Sequence, residues 1–293
     1  MKILDGKALA LKVKETLKKE VENLKLNGKR APHLAAILVG DDGASQTYVN
    51  HKVKMCNYVG FNSTLMQFNG DITEEFLLEK VDDLNKDEDI DGYIVQLPLP
   101  KHINATKITL AINPAKDVDG FHPENMGRMM LNLPGYVPAT PFGILQILEE
   151  YEIETSGKNC AIRGRSNIVG KPMAMLMAQN KKHANCTVTL CHSRTQNLES
   201  ILKNADIVIA ALGKPEFVTG NMLKENAIVI DVGITRINDD TKKRGYRLAG
   251  DVDFVSAAEK CSFITPVPGG VGPMTVASLL KNTMLAYKNN HLA

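Results

Sequence analysis

Leu9, Val13, Leu17, Val21 and Leu24 recur at spacings of four and three, the repeat of one apolar stripe on a helix, and the pattern stops near Gly28. Beyond that glycine the period changes. Leu34 to Val39 is an unbroken apolar run closed by Gly40, which predicts a buried strand. Ser45 to Val59 returns to helical spacing, with Tyr48, Lys52, Cys56 and Val59 along one side. A strand over Ser63 to Phe68, a helix opened by Thr73 as N-cap, and a buried strand over Gly92 to Leu97 continue the alternation. Such repetition predicts a mostly parallel sheet covered by helices.

Prolines 98, 100, 114, 123, 134, 138 and 141 then mark a loop-rich passage, and Thr140-Pro141 is expected to open a helix running to about Tyr151. Four short apolar runs follow, Asn159 to Arg163, Thr187 to Cys191, Asp206 to Ala210 and Ala227 to Val232, with helical segments between them. Their order predicts a Rossmann-like half. Asp239 to Gly245 is polar and is expected to form a hairpin or an excursion. A last helix from Met274 to Tyr287 carries Val276, Leu279, Leu280, Met284 and Tyr287 on its apolar side, in position to pack back on the first domain.

Composition narrows the partners more than the fold. A length of 293 residues, 44% hydrophobic, supports two domains with real interiors. The net charge of +2 supplies no field for nucleic acid and no polybasic segment for a membrane, which leaves small molecules as ligands. Five cysteines, none in a Cys-x-x-Cys pair, fit reduced thiols and a cytoplasmic setting. The first residues do not have the pattern of a signal peptide, and the apolar run Ile207 to Leu212 is too short to span a bilayer. The histidines include no His-Glu-x-x-His pattern, so no metal is expected.

The richest chemistry lies in Cys160 to Pro172, where a strand runs into Gly164-Arg165-Ser166 and then Gly170-Lys171-Pro172. This is an anion cradle in outline. Gly164 lets the chain turn without a Cβ penalty, Gly170 and Pro172 mark a first helical turn whose N–H groups attract phosphate, and Arg165 can grip a phosphate bidentately. Ser193-Arg194 stands where the second strand of such a half reaches an adenosine ribose; a hydroxyl and a guanidinium there favour a 2′-phosphate, hence NADP. In the first half, Tyr48 and Lys52 lie one helical turn apart and face the strand end that carries Gln96. Taken singly, each has an ordinary reading: a packing tyrosine, a solvated lysine, a strand-end amide. Asp117 and Asp119 are turn formers before Gly120, or else one of them is a cleft carboxylate able to accept two parallel N–H donors from a planar heterocycle.

Five motifs in order, Tyr48-Val49-Asn50-His51-Lys52, Gln96-Leu97-Pro98-Leu99-Pro100, Lys116 to Gly120, Gly164 to Pro172 and Pro266 to Thr275, closely resemble those of the bifunctional methylenetetrahydrofolate dehydrogenase/cyclohydrolase family, essentially end to end. The resemblance implies an α/β fold of two domains: a catalytic, folate-binding domain over 1–140 completed by the C-terminal helix 273–293, and a Rossmann-like NADP-binding domain over 141–272. It implies that Lys52 is the catalytic lysine, Tyr48 its partner over the substrate, Gln96 the residue that positions Lys52, and Asp119 the carboxylate that holds the pterin. Gly164, Arg165, Ser166, Ser193, Arg194 and Ile234 then match the NADP side, while Leu97, Pro98, Pro268, Gly269, Gly270 and Val271 match the substrate side. A homodimer is implied as well. Arg163 departs from the family, which usually has an aliphatic residue there: either this sheet end is more polar, or the side chain reaches the cofactor.

The implied reaction suits these residue types. Oxidation of the one-carbon bridge needs alignment rather than a strong base, whereas hydrating the resulting cation moves protons. An amine beside a cationic substrate acts as a base only when neutral, a form that burial and a nearby positive charge both favour. A different two-domain dehydrogenase, acting on a small amino or hydroxy acid, and a non-catalytic cofactor sensor are the rival readings.

Overall fold

A computed structural model of the chain describes residues 1–242 and 245–292. Strand β1 (Lys2–Ile3) and helix α1 (Gly6–Leu26) are followed by β2 (His33–Val39), α2 (Gly43–Val59), β3 (Asn62–Phe68), α3 (Glu74–Lys86) and β4 (Gly92–Val95). Helices α4 (Ala105–Ala111), α5 (Pro123–Met130) and α6 (Ala139–Glu150) come next. The chain then runs through β5 (Asn159–Arg163), α7 (Gly170–Ala178), β6 (Thr187–Cys191), α8 (Leu198–Lys203), β7 (Ile207–Ala210) and β8 (Ile228–Asp231). It closes with β9 (Thr235–Asn238), β10 (Tyr246–Ala249), α9 (Phe254–Ala258), β11 (Phe263–Ile264) and α10 (Val271–His291). Two compact units result: residues 1–10 with 140–275, and residues 11–139 with the chain from 276 onward.

The second of these is built on a three-stranded parallel sheet, β3-β2-β4. Its central strand is apolar on both faces because both are covered. Leu34, Ala36 and Leu38 pack with Leu17, Val21, Val49, Cys56 and Val59 and with Leu279, Leu280, Met284 and Tyr287 of α10. Ala35, Ile37 and Val39 pack on the opposite side with Leu77, Val81, Leu84 and Ile108. A strand buried on both faces is the parallel-sheet signature that the unbroken run Leu34 to Val39 carries.

The other unit is a six-stranded sheet in the order β1-β11-β8-β7-β5-β6, parallel throughout. Counting strands from β5, the order is 2-1-3-4-5 with β1 added at the edge, a doubly wound α/β sheet. Its strands read as short apolar runs for the same reason as β2: Ala161, Val208, Val229 and Ile264 all lie in one buried cluster.

Several expectations need correction. The proline-rich passage holds α4 and α5, helices of 7 and 8 residues that are too short to show a period. They are started by capping: Asn104 accepts from the amides of Thr106 and Lys107, and His122 from that of Glu124 ahead of Pro123 at the first turn. Helix α6 begins at Ala139, so Thr140 is not its cap; the Thr140 hydroxyl instead meets that of Thr275 at 3.0 Å. Residues 1–10 belong to the six-stranded unit, because β1 pairs with β11 and the Lys7 amide donates to Gly269 O at 2.8 Å. The polar stretch after Asn238 is the turn of the antiparallel β9–β10 hairpin; residues 243–244, like residue 293 of the C-terminal segment, lie outside the described residues. All five cysteines carry free thiols. Among the described residues no helix is long and apolar enough to cross a membrane.

Candidate active site

In the three-stranded unit the site starts from a helix cap. Asp42 accepts from the Ser45 amide at 2.8 Å and fixes the start of α2, which puts Tyr48 and Lys52 one above the other. Lys52 is only 9% exposed, and its Nζ donates to Gln96 Oε1 at 3.1 Å. The amide cannot turn freely, since Gln96 Nε2 donates to Leu97 O at 2.7 Å and the Gln96 backbone amide to Ile37 O at 2.9 Å. Thus the lysine has a neutral oxygen as its acceptor, and the oxygen is aimed by two further bonds. Leu97 is half-buried and Pro98, joined to it by a cis peptide, is exposed. Tyr48 is 38% exposed, and the burial it does have raises its hydroxyl above the ordinary phenol range.

The two aspartates separate cleanly. Asp117 is buried and accepts from the His122 amide at 2.8 Å and Asn125 Nδ2 at 2.9 Å, so it is the turn clamp; burial still pushes its carboxyl up to about 6. Asp119 accepts no hydrogen bond among the described residues and borders a small cavity with Leu97, Ile108 and Phe121. Burial raises its carboxyl and the charge of Lys52 opposes the rise. The turn that presents it is rigid. Gly120 has φ +74°, and a Cβ there would lie 2.8 Å from Pro138 N. Asn282 of α10 donates to Val118 O at 2.8 Å and Val137 O at 2.9 Å, tying that turn to the segment Gly120 packs against. The sequence signal for Asn282 is a polar residue inside the otherwise apolar stripe of the last helix.

In the six-stranded unit Gly164 has φ +130°, and a Cβ on it would lie 2.0 Å from Ala211 O. Gly170 opens α7 and approaches Gly164 O equally closely. The helix start is not an open anion site, however. Ser166 Oγ accepts from the amides of Val169 at 3.1 Å and Gly170 at 3.4 Å, and Ser166 O from Lys171 at 3.0 Å. What faces solvent is the loop itself, Arg165 to Ile168. Ser193 and Arg194 are exposed in a turn after β6, shaped by the His192 amide donating to Thr195 Oγ1 at 2.8 Å; Ile234 is exposed after β8. Pro268 is exposed, Gly269 half-buried with φ +112°, and Gly270 and Val271 are buried. One donor is left over here for a cofactor anion: Arg163 Nε is buried without a hydrogen-bond partner.

Sequence reading missed a carboxylate pair. Asp231, ending β8, accepts from the amides of Gly233 at 2.9 Å, Asp251 at 2.8 Å and Val252 at 3.0 Å. Asp251 in turn accepts from Leu212 at 2.6 Å and Gly213 at 2.9 Å, so the two together brace the loops after β7 and β8. An aspartate closing an apolar strand beside Gly233 was the available signal. Burial pushes the Asp231 carboxyl up to about 7 from an ordinary 3.8, outweighing the three amides. The folded state therefore holds this proton more tightly than the unfolded chain. Its stabilising contribution is complete below pH 3.8 and is lost as pH rises through about 7. Denaturant midpoints measured from pH 4 to 8 are expected to fall less steeply in Asp231→Asn than in the wild type; parallel profiles would remove Asp231 as the cause.

A doubly wound sheet with a glycine turn after its first strand and polar residues at the second strand's end defines a nucleotide-binding α/β unit. Joined to a unit that buries a lysine against a fixed amide, it belongs to the class of two-unit dinucleotide-dependent enzymes. Residues 4–119 match the tetrahydrofolate dehydrogenase/cyclohydrolase catalytic domain, and residues 138–291 the NAD(P)-binding domain of the same family. The bifunctional protein FolD of Cytophaga hutchinsonii is 62% identical over 286 residues, covering 98% of this chain and 99% of that one. The FolD crystal structure from Campylobacter jejuni is similar at 46% identity and a TM-score of 0.92, covering 99% of both chains. That of the Trypanosoma brucei enzyme, complexed with NADP and an inhibitor, is similar at 38% identity and a TM-score of 0.94, covering 99% of this chain and 98% of that one. This chain belongs to the tetrahydrofolate dehydrogenase/cyclohydrolase family.

Proposed function

We propose that the protein oxidises 5,10-methylenetetrahydrofolate with NADP and hydrolyses the methenyl product to 10-formyltetrahydrofolate. The observation that carries this reading is the buried Lys52 amine bonded to the fixed amide of Gln96, with Asp119 unengaged nearby. NADP, when bound, accepts the hydride from the one-carbon bridge. The chain's own contribution to that step is alignment: Asp119 accepts two N–H groups of the pterin, Tyr48 lies over its ring, and Leu97 and Pro98 flank it. Gly164, Arg165, Ser166, Ser193, Arg194 and Ile234 hold the dinucleotide.

Lys52 does the proton work of the second step. Water adds to the methenyl carbon as its proton passes to the Lys52 amine. The ammonium then returns a proton to N5, the C–N5 bond breaks as the hydroxyl oxygen closes to the formyl C=O and releases its remaining proton to solvent, and the formyl group stays on N10. Gln96 suits this role because an amide orients an amine without stabilising its charged form as a carboxylate does. Gln96→Glu is accordingly expected to slow hydrolysis by about 10- to 100-fold and oxidation much less. Equal losses in both activities across a pH series would contradict it.

In this reading the folate unit comprises 1–140 with 273–293 and the NADP unit 141–272, adjusted for the first ten residues; the working form is a cytoplasmic homodimer. Incubation with methylenetetrahydrofolate and each dinucleotide, followed by absorbance, tests the whole. Reduced nicotinamide and a transient methenyl band should appear with NADP. Turnover of a small amino or hydroxy acid in place of the folate would overturn it.

A further inference from the structure

Arg163 is the last residue of β5, in register with Cys191 of β6 on one side and Ala210 of β7 on the other. The chain leaves β5 toward β6, while β7 leads on to β8 in the opposite direction. The gap between β5 and β7 is therefore the topological switch point, where open α/β sheets receive ligands beyond their strand ends. A guanidinium stands at that place. Backbone bonds fix its base, since Ala211 N donates to Arg163 O at 2.8 Å and Gly164 N to Cys191 O at 3.0 Å.

The side chain is 7% exposed, and its Nε has no hydrogen-bond partner. No carboxylate among the described residues pairs with it. Its Cζ rests 5.4 Å from the centre of the Phe217 ring, a cation–π contact that offsets part of the desolvation. A second cation, Lys214, lies 6.0 Å from the same ring. A buried charge without a counter-charge is strongly unfavourable, and an aliphatic side chain would fill this apolar position without that cost. The sheet does not need the charge, but an anionic ligand does. The register partner of Arg163 on the β6 side is Cys191, whose thiol is raised by burial and lowered by the charge of Arg163. That cysteine runs straight into the His192-Ser193-Arg194 turn.

We propose that Arg163 determines dinucleotide specificity, its guanidinium reaching from the sheet end to the 2′-phosphate of the adenosine alongside Arg165 and Ser193. The inference rests on the dinucleotide-binding part of the functional reading. Planar, bidentate recognition of a phosphate is what a guanidinium adds over an aliphatic side chain at this position.

The test is equilibrium titration of full-length wild type, Arg163→Leu and Arg163→Lys with NADP, NAD, 2′,5′-ADP and 5′-AMP. Arg163→Leu is expected to weaken NADP and 2′,5′-ADP roughly 10- to 100-fold, the loss typical of a hydrogen bond to a charged group. NAD and 5′-AMP should change less than about twofold, and Arg163→Lys should fall between the other two proteins. Parallel loss of NADP and NAD affinity would place the contact on the pyrophosphate and overturn the assignment, as would no change in either. The unliganded melting temperature should rise in Arg163→Leu, because the buried charge is gone, and a lowered one would contradict the premise. If Arg163→Leu does not fold, the Arg163→Lys ratio of NADP to NAD affinity decides: an unchanged ratio sinks the proposal. Wild-type protein that binds 2′,5′-ADP but never oxidises the folate would sink the functional reading and leave Arg163 standing.

Discussion

Lys52→Met should reduce hydrolysis of methenyltetrahydrofolate by about 10²- to 10⁴-fold, the usual yield of a positioned general base. Methionine is the informative replacement because it keeps the unbranched stem and removes only the amine. Lys52 lies on the buried side of α2 with Val49, Cys56 and Val59, so its stem packs in the core while its nitrogen meets Gln96 Oε1 at 3.1 Å. Deleting the nitrogen leaves one amide oxygen without a partner, a loss of about 1–3 kcal/mol. It also spares the burial of a polar amine, an effect of opposite sign. The two leave stability close to unchanged, and NADP affinity should not move. The assay is decay of methenyl absorbance without dinucleotide, corrected for the uncatalysed rate. Activity within tenfold of wild type would mean that some other group moves the proton.

How far the sequence could be read depended on the length of each signal. Strands β2 and β5 to β8 and helices α1, α2 and α10 showed through because a doubly covered parallel sheet needs unbroken apolar runs and its covering helices need a stripe. Strands β1 and β11 have two residues each, too few for any period, and so the exchange of residues 1–10 into the six-stranded sheet had no sequence mark. Helices α4 and α5 had capping residues but no stripe.

Within the site, one helical turn and one strand end set Lys52 and Gln96 facing the same side, while their pairing came from the family resemblance alone. Which of Asp117 and Asp119 is the clamp did not follow, since that depends on Asn125 and the His122 amide folding back onto Asp117. The Asp231–Asp251 brace was hidden for the same reason: its residues lie 20 apart and meet through backbone amides that every residue but proline possesses. The serine of the glycine loop carries a bond that had no sequence mark. Its hydroxyl occupies the helix amides that the motif offers to phosphate.

Gly164→Ala is expected to destabilise the six-stranded unit by about 3–5 kcal/mol and to lower the melting temperature by roughly 10 °C, with NADP binding lost in parallel. Two penalties combine. At φ +130° an L side chain is strained whatever the space around it, and the new Cβ would stand 2.0 Å from Ala211 O. That oxygen cannot retreat easily, because the amide of the same residue is tied to Arg163 O at 2.8 Å in the β5–β7 pairing. Gly164 cannot retreat either, since its own carbonyl already sits where a Cβ on Gly170 would be. The peptide must rotate or the strands must part, and both displace the loop that carries Arg165 and Ser166. Gly157→Ala separates the two penalties: Gly157 has φ +72°, and a Cβ there would meet nothing within 4 Å, so only the backbone cost of about 1–2 kcal/mol applies. Thermal melts of both variants, with and without NADP, make the comparison. Should the two alanines cost the same, the close approach of Gly164 to β7 is not what shapes the cofactor turn.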